Sequence, residues 1–375
     1  MKKSVFFLCL LLFTSCAKQP SFDNALDAAL ASSNEKIRRV MDGLEQHQVQ
    51  IRFTQIDREG DSLVFTDYDF QVNSDNYFYP ASTVKFPAAV TALEKLNELD
   101  SLHRDVTFYI EGDSVETTFA RAIEEIFAVS DNDANNRLVE FLGFDDLNQR
   151  IGNKGTVPIR ISHRLSTSNA DDVTTKPLVI YKNDSSTVVS QPVVSSPPAK
   201  LTLKNIKKGK GFYVGDSLYN EPFDFGLKNY YPVTAQHEVL KRVLFPKIFD
   251  QDERFTLSED QHDFLLESMS ALPYQAGYDR LEYYDGYVKF FMFGDSKEPI
   301  PEHIKIYNKV GYAYGTLTDC AYIKDIKNNV DFMITATILV NKDGIFNDDN
   351  YEYDEIGIPF LAQLGREIYA YELKR

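Results

Sequence analysis

The chain has 375 residues, 43% of them apolar, enough to bury one sizeable core or two. Its formal charge of −16 argues against a nucleic-acid partner, because a phosphate backbone is held by clustered Lys and Arg that this surface must largely lack. The six histidines show no ligand spacing, so no metal is implied, and no cofactor is expected.

Lys2 and Lys3, the apolar run from Val5 to Phe13, and then Thr14-Ser15-Cys16 have the order of a bacterial export signal. The run is too short to span a membrane. The cysteine at the cut resembles the lipobox of bacterial lipoproteins, although that family prefers Leu where Phe13 stands. The resemblance implies that Cys16 is lipidated and that the protein is periplasmic, touching the membrane only through this anchor. The alternative is a simple cleaved signal that leaves a soluble protein. With Cys9 removed and Cys16 acylated, Cys320 stands alone, so no disulfide forms and the thiol reads as a small buried hydrophobe.

Apolar positions between Phe22 and Leu44 recur at helical intervals and predict one or two helices. Val49 to Ile56 and Ser62 to Val72 alternate on either side of a turn, which predicts an antiparallel hairpin. Next, in Tyr79-Pro80-Ala81-Ser82-Thr83-Val84-Lys85-Phe86, a hydroxyl precedes an ammonium by three residues at the start of an apolar helix. Both groups then lie on one face, a turn apart. A serine hydroxyl is a weak nucleophile unless a neighbour takes its proton, and a lysine can do so only when burial or nearby cations lower its pKa. The bare spacing is common, for Ser15 with Lys18 and Ser33 with Lys36 share it. Phe86, Ala89, Val90, Leu93 and Leu96 mark a buried helical stripe, with a slight kink expected at Pro87.

Ser130-Asp131-Asn132 precedes a helix closed by Gly143, and all three residue types are good N-caps. The same triplet at Ser74 to Asn76 shows that it also occurs by chance. From about Ser166 to Tyr230 the chain is rich in Ser, Thr, Val, Pro and Lys and reads as an insertion, part strand and part loop. Helical patterns return at Val233 to Leu244 and Ser258 to Met269. Ile304 to Lys309, Thr316 to Lys324 and Val330 to Val340 read as three strands, the last so continuously apolar that it should be central. Asn341 to Glu355 is an acidic loop, and Ile356 to Leu373 a closing amphipathic helix. At Lys309-Val310-Gly311 a cation on an edge strand, with a glycine that lets a substrate backbone approach, suits a carboxylate.

S-x-x-K, S-D-N and K-x-G in this order, the third continuing as Tyr314-Gly315-Thr316-Leu317-Thr318-Asp319-Cys320-Ala321, resemble the penicillin-recognising serine enzymes, most of all class A β-lactamases. The resemblance implies an α+β fold: a mainly antiparallel five-stranded sheet flanked by terminal helices, with a mainly helical lobe and the site in the cleft between. On that basis residues 1–16 are the signal and 21–375 one catalytic domain, with an α/β lobe of 21–75 and 300–375 and a helical lobe of 76–299 that includes the insertion at about 166–230. Position by position, the resemblance implies Ser82 as nucleophile, Lys85 as its base and Ser130 as the relay to the leaving nitrogen. Asn132 and Gly311 would bind substrate, Lys309 would assist Ser130 or hold a carboxylate, and the backbone N–H groups of Ser82 and Tyr312 would form the oxyanion hole. The implied substrate is a β-lactam or a D-Ala-D-Ala-like peptidoglycan peptide.

Two positions depart from the family. Val310 stands where Thr is usual, and the glutamate that activates the deacylating water in class A enzymes has no counterpart, because no Glu occurs between Glu140 and Glu221. Asp171, Asp172 and His163 are the candidates for that task, although His163 reads more simply as a hydrogen-bonded loop residue and the aspartates as partners of Arg160 or Arg164. Two alternatives stay open: a D,D-peptidase or transpeptidase with slow deacylation, and a non-catalytic binding lipoprotein of the same fold.

Overall fold

A computed structural model describes residues 22–60, 62–99, 101–183 and 185–375, so the stretch expected to be an export signal, with Cys16, lies outside the described residues. Three short helices open it, α1 (Ala25–Leu30), α2 (Glu35–Met41) and α3 (Leu44–His47). The first two start where Asn24 and Asn34 accept backbone N–H groups of the first turn. The expected hairpin follows as β1 (Gln50–Glu59) and β2 (Ser62–Phe70). A 3₁₀ turn, Ala81–Val84, then leads into α4 (Lys85–Asn97). Pro87 falls in the first turn of α4, where a backbone N–H has no intrahelical acceptor to lose, so the helix runs on without the expected kink.

The middle of the chain supplies β3 (Thr107–Ile110), β4 (Thr117–Thr118), α5 (Phe119–Ala128), α6 (Asn132–Leu142) and α7 (Phe144–Gly152). The 166–230 segment is strand and loop: β5 (Leu178–Asn183), β6 (Ser186–Val189), β7 (Lys207–Lys208), β8 (Gly211–Val214), β9 (Ser217–Tyr219) and β10 (Phe223–Asp224). After it come α8 (Val233–Leu244), α9 (Glu259–Ser270) and α10 (Phe290–Phe293). The chain closes with β11 (Ile304–Ala313), β12 (Thr316–Asp325), β13 (Val330–Leu339), β14 (Ile345–Phe346) and α11 (Ile358–Glu372).

The main sheet has five strands in the order β11-β12-β13-β1-β2, all neighbours antiparallel. β13 is central, as its apolar run predicts, because both of its faces are covered. Lys309 lies on an edge strand as expected, but β11 does not stop there and runs on to Ala313. Side chains alternate across the sheet, so on β12 Cys320 and Tyr322 enter the core of the helical lobe while Ala321 and Ile323 enter the core under α1 and α11. Cys320 is buried and free, with Sγ 3.3 Å from Gln236 O and accepting from Thr335 Oγ1 at 3.1 Å.

The helical lobe also carries a four-stranded sheet, β4-β3-β5-β6, which periodicity in strands this short does not reveal. A third, aromatic cluster of Tyr77, Tyr79, Phe225, Tyr230 and Phe346 ties the inserted segment to the stretch before Ser82. No helix among the described residues is long and apolar enough to cross a membrane.

Candidate active site

Ser82 sits inside the 3₁₀ turn and Lys85 opens α4 behind it. The chain enters the turn through Ala81 at φ 48°, and Thr83 Oγ1 donates to Pro80 O at 2.7 Å. Gly311 of β11 packs directly onto this turn, for a Cβ there would lie 2.8 Å from both Pro80 O and Ser82 N. The glycine thus serves the close approach of a strand to the Ser82 turn. Tyr312, the next residue, is half exposed and lines the same cavity as Ser82.

Asp131, not Ser130, caps α6, accepting from Ala134 N at 2.7 Å. Ser130 is left outside the helix at φ 60°, facing the cavity. Two buried lysines converge on it. Lys85 Nζ donates to Ser130 O and lies 3.3 Å from Ser130 Oγ. Lys309 Nζ reaches Ser130 Oγ at 2.7 Å and Val310 O at 2.8 Å. Ser82 Oγ makes no hydrogen bond among the described residues, because Lys85 directs its donors to Ser130.

Burial pushes Lys85 down to about 7, against the pull of Asp131 and Asp133. Burial also holds Lys309 well below the ordinary lysine range, reinforced by the charge of Lys85 and opposed by that of Asp319. An uncharged amine near neutral pH is the state that a proton acceptor needs.

Ser82, Ser130, Asn132 and Tyr312 line one cavity of about 780 Å³. Asn132 Nδ2 donates to Ser166 Oγ at 3.1 Å, and Val310 lines the wall with no hydroxyl to offer. Six lining residues, Ala81, Ser130, Ser166, Tyr314, Asn347 and Asp349, hold a positive φ. Such conformations cost about 1–3 kcal/mol each in non-glycine residues and collect at functional sites.

Of the three candidate bases in the loop from His163 to Asp172, only His163 lines the cavity, and its basic atom is buried. His163 is buried and stacked on Tyr79, ring centres 6.1 Å apart and planes 7° apart. Its Nδ1 donates to Arg164 O at 2.7 Å, which leaves Nε2 as the basic atom, sealed from solvent and without a partner. A base must touch the water it activates, and this one does not. Burial also pushes the imidazole down to about 4.

The two aspartates are exposed, and neither side chain pairs with Arg160 or Arg164 as expected. Asp171 faces Lys228 at 3.7 Å, and Asp172 gives Arg164 only its backbone carbonyl, at 2.5 Å. Arg164 pairs instead with Glu140 of α6, at 2.7 and 2.9 Å, while Arg160 donates to the carbonyls of Ala199, Gly226 and Lys228. The Glu140–Arg164 pair is buried and fastens the loop to the helix. Sequence reasoning misses it, as it misses the buried Lys289, because neither carries a motif. No group of three or more His, Cys, Asp and Glu among the described residues is arranged to hold a metal.

The model of the Beta-lactamase enzyme family matches residues 32–191. No curated protein matches the chain. Among solved structures the fold is similar to a beta-lactamase from Streptosporangium roseum, at 13% identity and TM-score 0.51 over 88% of this chain and 96% of that one. It is similar also to a beta-lactamase from Desulfarculus baarsii, at 14% and 0.51 over 92% and 97%. A class A beta-lactamase from Mycobacterium abscessus follows at 13% and 0.50 over 88% and 95%. At these identities the likeness is one of fold, that of the β-lactamases and transpeptidases. The family model, matched over residues 32–191, agrees with that fold.

Proposed function

We propose that the protein is a serine hydrolase that opens a β-lactam or D-Ala-D-Ala-like amide by acyl transfer to Ser82. Family and fold support a serine β-lactamase-like function. The observation that carries the finer reading is Ser130 Oγ, held 2.7 Å from Lys309 and 3.3 Å from Lys85 in the cavity that Ser82 lines.

In this mechanism neutral Lys85 takes the proton of Ser82 as Oγ attacks the amide carbon. The oxygen that becomes negative is held by the N–H groups of Ser82 and Tyr312, donors typically worth about 3–4 kcal/mol each. The C–N bond breaks as Ser130 gives its proton to the nitrogen and is reprotonated by a neighbouring lysine. Asn132 orients the substrate's side-chain amide, with Gly311 letting β11 close on the site, and Lys309 steadies Ser130 or a substrate carboxylate.

The loop without a water-activating base favours a second reading, a D,D-peptidase or penicillin-binding protein whose acyl-enzyme is long-lived. A non-catalytic binding protein is disfavoured, because a dead site has no physical reason to bury an amine beside a serine. We propose further that the signal exports the chain and that lipidated Cys16 anchors it in the periplasm, in reach of peptidoglycan.

Labelling by a fluorescent penicillin tests the acyl-transfer reading: the wild type should label and Ser82→Ala should not. A chromogenic cephalosporin separates the two readings, continuous turnover favouring the lactamase and one stoichiometric burst the long-lived acyl-enzyme. Equal labelling of Ser82→Ala would overturn both.

A further inference from the structure

Among the described residues the proton hand-off leaves several buried cations unused, one of them on the segment that packs against β11. Lys289, in the aromatic run before α10, is buried, and its Nζ meets Met269 O at 2.7 Å, Ile306 O at 3.1 Å and Asn308 Oδ1 at 2.8 Å. Three acceptors and no donor fit an ammonium, whose three N–H groups are all used, better than an amine whose lone pair would face an oxygen. Asn308 carries the contact onward, its Nδ2 donating to Asp319 Oδ1 at 2.8 Å, while Phe291 N donates to Asp319 Oδ2 at 3.4 Å.

Asn308 and Asp319 belong to the face of the sheet under the terminal helices. Lys309, next along β11 and opposite Cys320, leaves from the other face toward Ser130. Lys85, Lys309 and Lys289 therefore form a row of buried amines, with the wholly buried carboxylate of Asp319 acting on both Lys309 and Lys289.

Building on the acyl-transfer reading, we propose that Lys289 is a positioning residue of the site: by engaging Asn308 and, through it, Asp319, it leaves Lys309 without a counter-ion of its own and available to Ser130. A buried carboxylate can compensate one cation, not two. The electrostatics agree. Burial lowers Lys289 to about 7 while Asp319 pulls the other way, and burial raises Asp319 to about 6 against its hydrogen bonds and the charges of Lys289 and Lys309. Lys309 is faced by Lys85 from α4, Asp319 from β12 and Lys289 from the segment before α10, and Lys85 by Asp131 and Asp133 at the start of α6.

Two readouts test this: the pH profile of Ser82 labelling by a fluorescent penicillin, and the carbon-13 NMR titration of the ε positions of Lys85 and Lys309. Lys289→Met removes a cation beside Lys309, so the midpoint of the Lys309 signal should rise by about one unit, while the labelling profile, which follows Lys85, should not rise with it, because a more protonated Lys309 repels the proton of Lys85. Lys289→Arg keeps the charge and should leave the Lys309 midpoint in place. Asp319→Asn keeps the side-chain shape and serves if a Lys289 variant fails to fold; it should move the Lys309 midpoint downward by a similar amount. A Lys309 midpoint that stays put in both Lys289→Met and Asp319→Asn would overturn the proposal. If the wild type does not label at all, the acyl-transfer reading fails while the NMR titration still decides this one.

Discussion

One wall of the cavity, built by the Ser82 turn, Ser130 and β11, brings two buried lysines to a single hydroxyl. The loop from His163 to Asp172 places its charges differently: its arginine is tied to Glu140, its histidine is sealed, and its aspartates face solvent. Forming an ester needs a nucleophile, a base and an oxyanion site, whereas clearing it needs a further base that touches water. In the proposed reading the first wall supplies the groups for the former. The aspartates of the loop do not line the cavity, and the basic atom of its histidine is buried, so the loop offers the latter little.

The sharpest break comes from Lys85→Met, which should slow acylation by about 10³-fold, within the range of a lost general base. In the wild type the acylation rate should climb as pH rises through about 7, where Lys85 loses its proton, and Lys85→Met should erase that limb. Stopped-flow labelling across pH checks both statements.

Glu140→Gln strikes the loop instead. It leaves the Arg164 charge buried and unpaired, so chemical denaturation should show a loss of about 3 kcal/mol. Acylation by the molecules that stay folded should change little, since Glu140 does not line the cavity.

Gly311→Ala tests how tightly the first wall is joined, because its Cβ would sit 2.8 Å from Ser82 N. Pushing β11 off the turn disturbs the oxyanion donors, and acylation should fall about 10²-fold in the same labelling assay. The smallest effect, and the one that would even out the two walls, is a gain. Ser166→Glu places a carboxylate on the cavity lining beside Asn132 and should speed loss of the acyl group by about 10-fold, the low end of what a poorly placed base achieves.

Much of the first wall was legible in the residues. Ser82, Lys85, Ser130 and Lys309 lie in short patterns whose spacing and helix or strand context could be read locally, and the apolar run of β13 announced its central place. What stayed hidden depends on tertiary contact. Lys289 is a lone lysine in an aromatic stretch, and only the fold shows that Met269, Ile306 and Asn308 surround it. Glu140 and Arg164 come from separate elements, and the arginine's carboxylate partner could not be chosen among the nearer aspartates. Gly311 was legible as a glycine that must allow close approach, but not as one that approaches the chain's own Ser82 turn.

The most direct measurement is intact mass followed over time after a single addition of penicillin. The account predicts that the wild type consumes penicillin through a one-to-one adduct, lasting if deacylation is slow and transient if it is fast, and that Ser82→Ala neither forms the adduct nor consumes penicillin. An adduct or hydrolysis that survives in Ser82→Ala would contradict it.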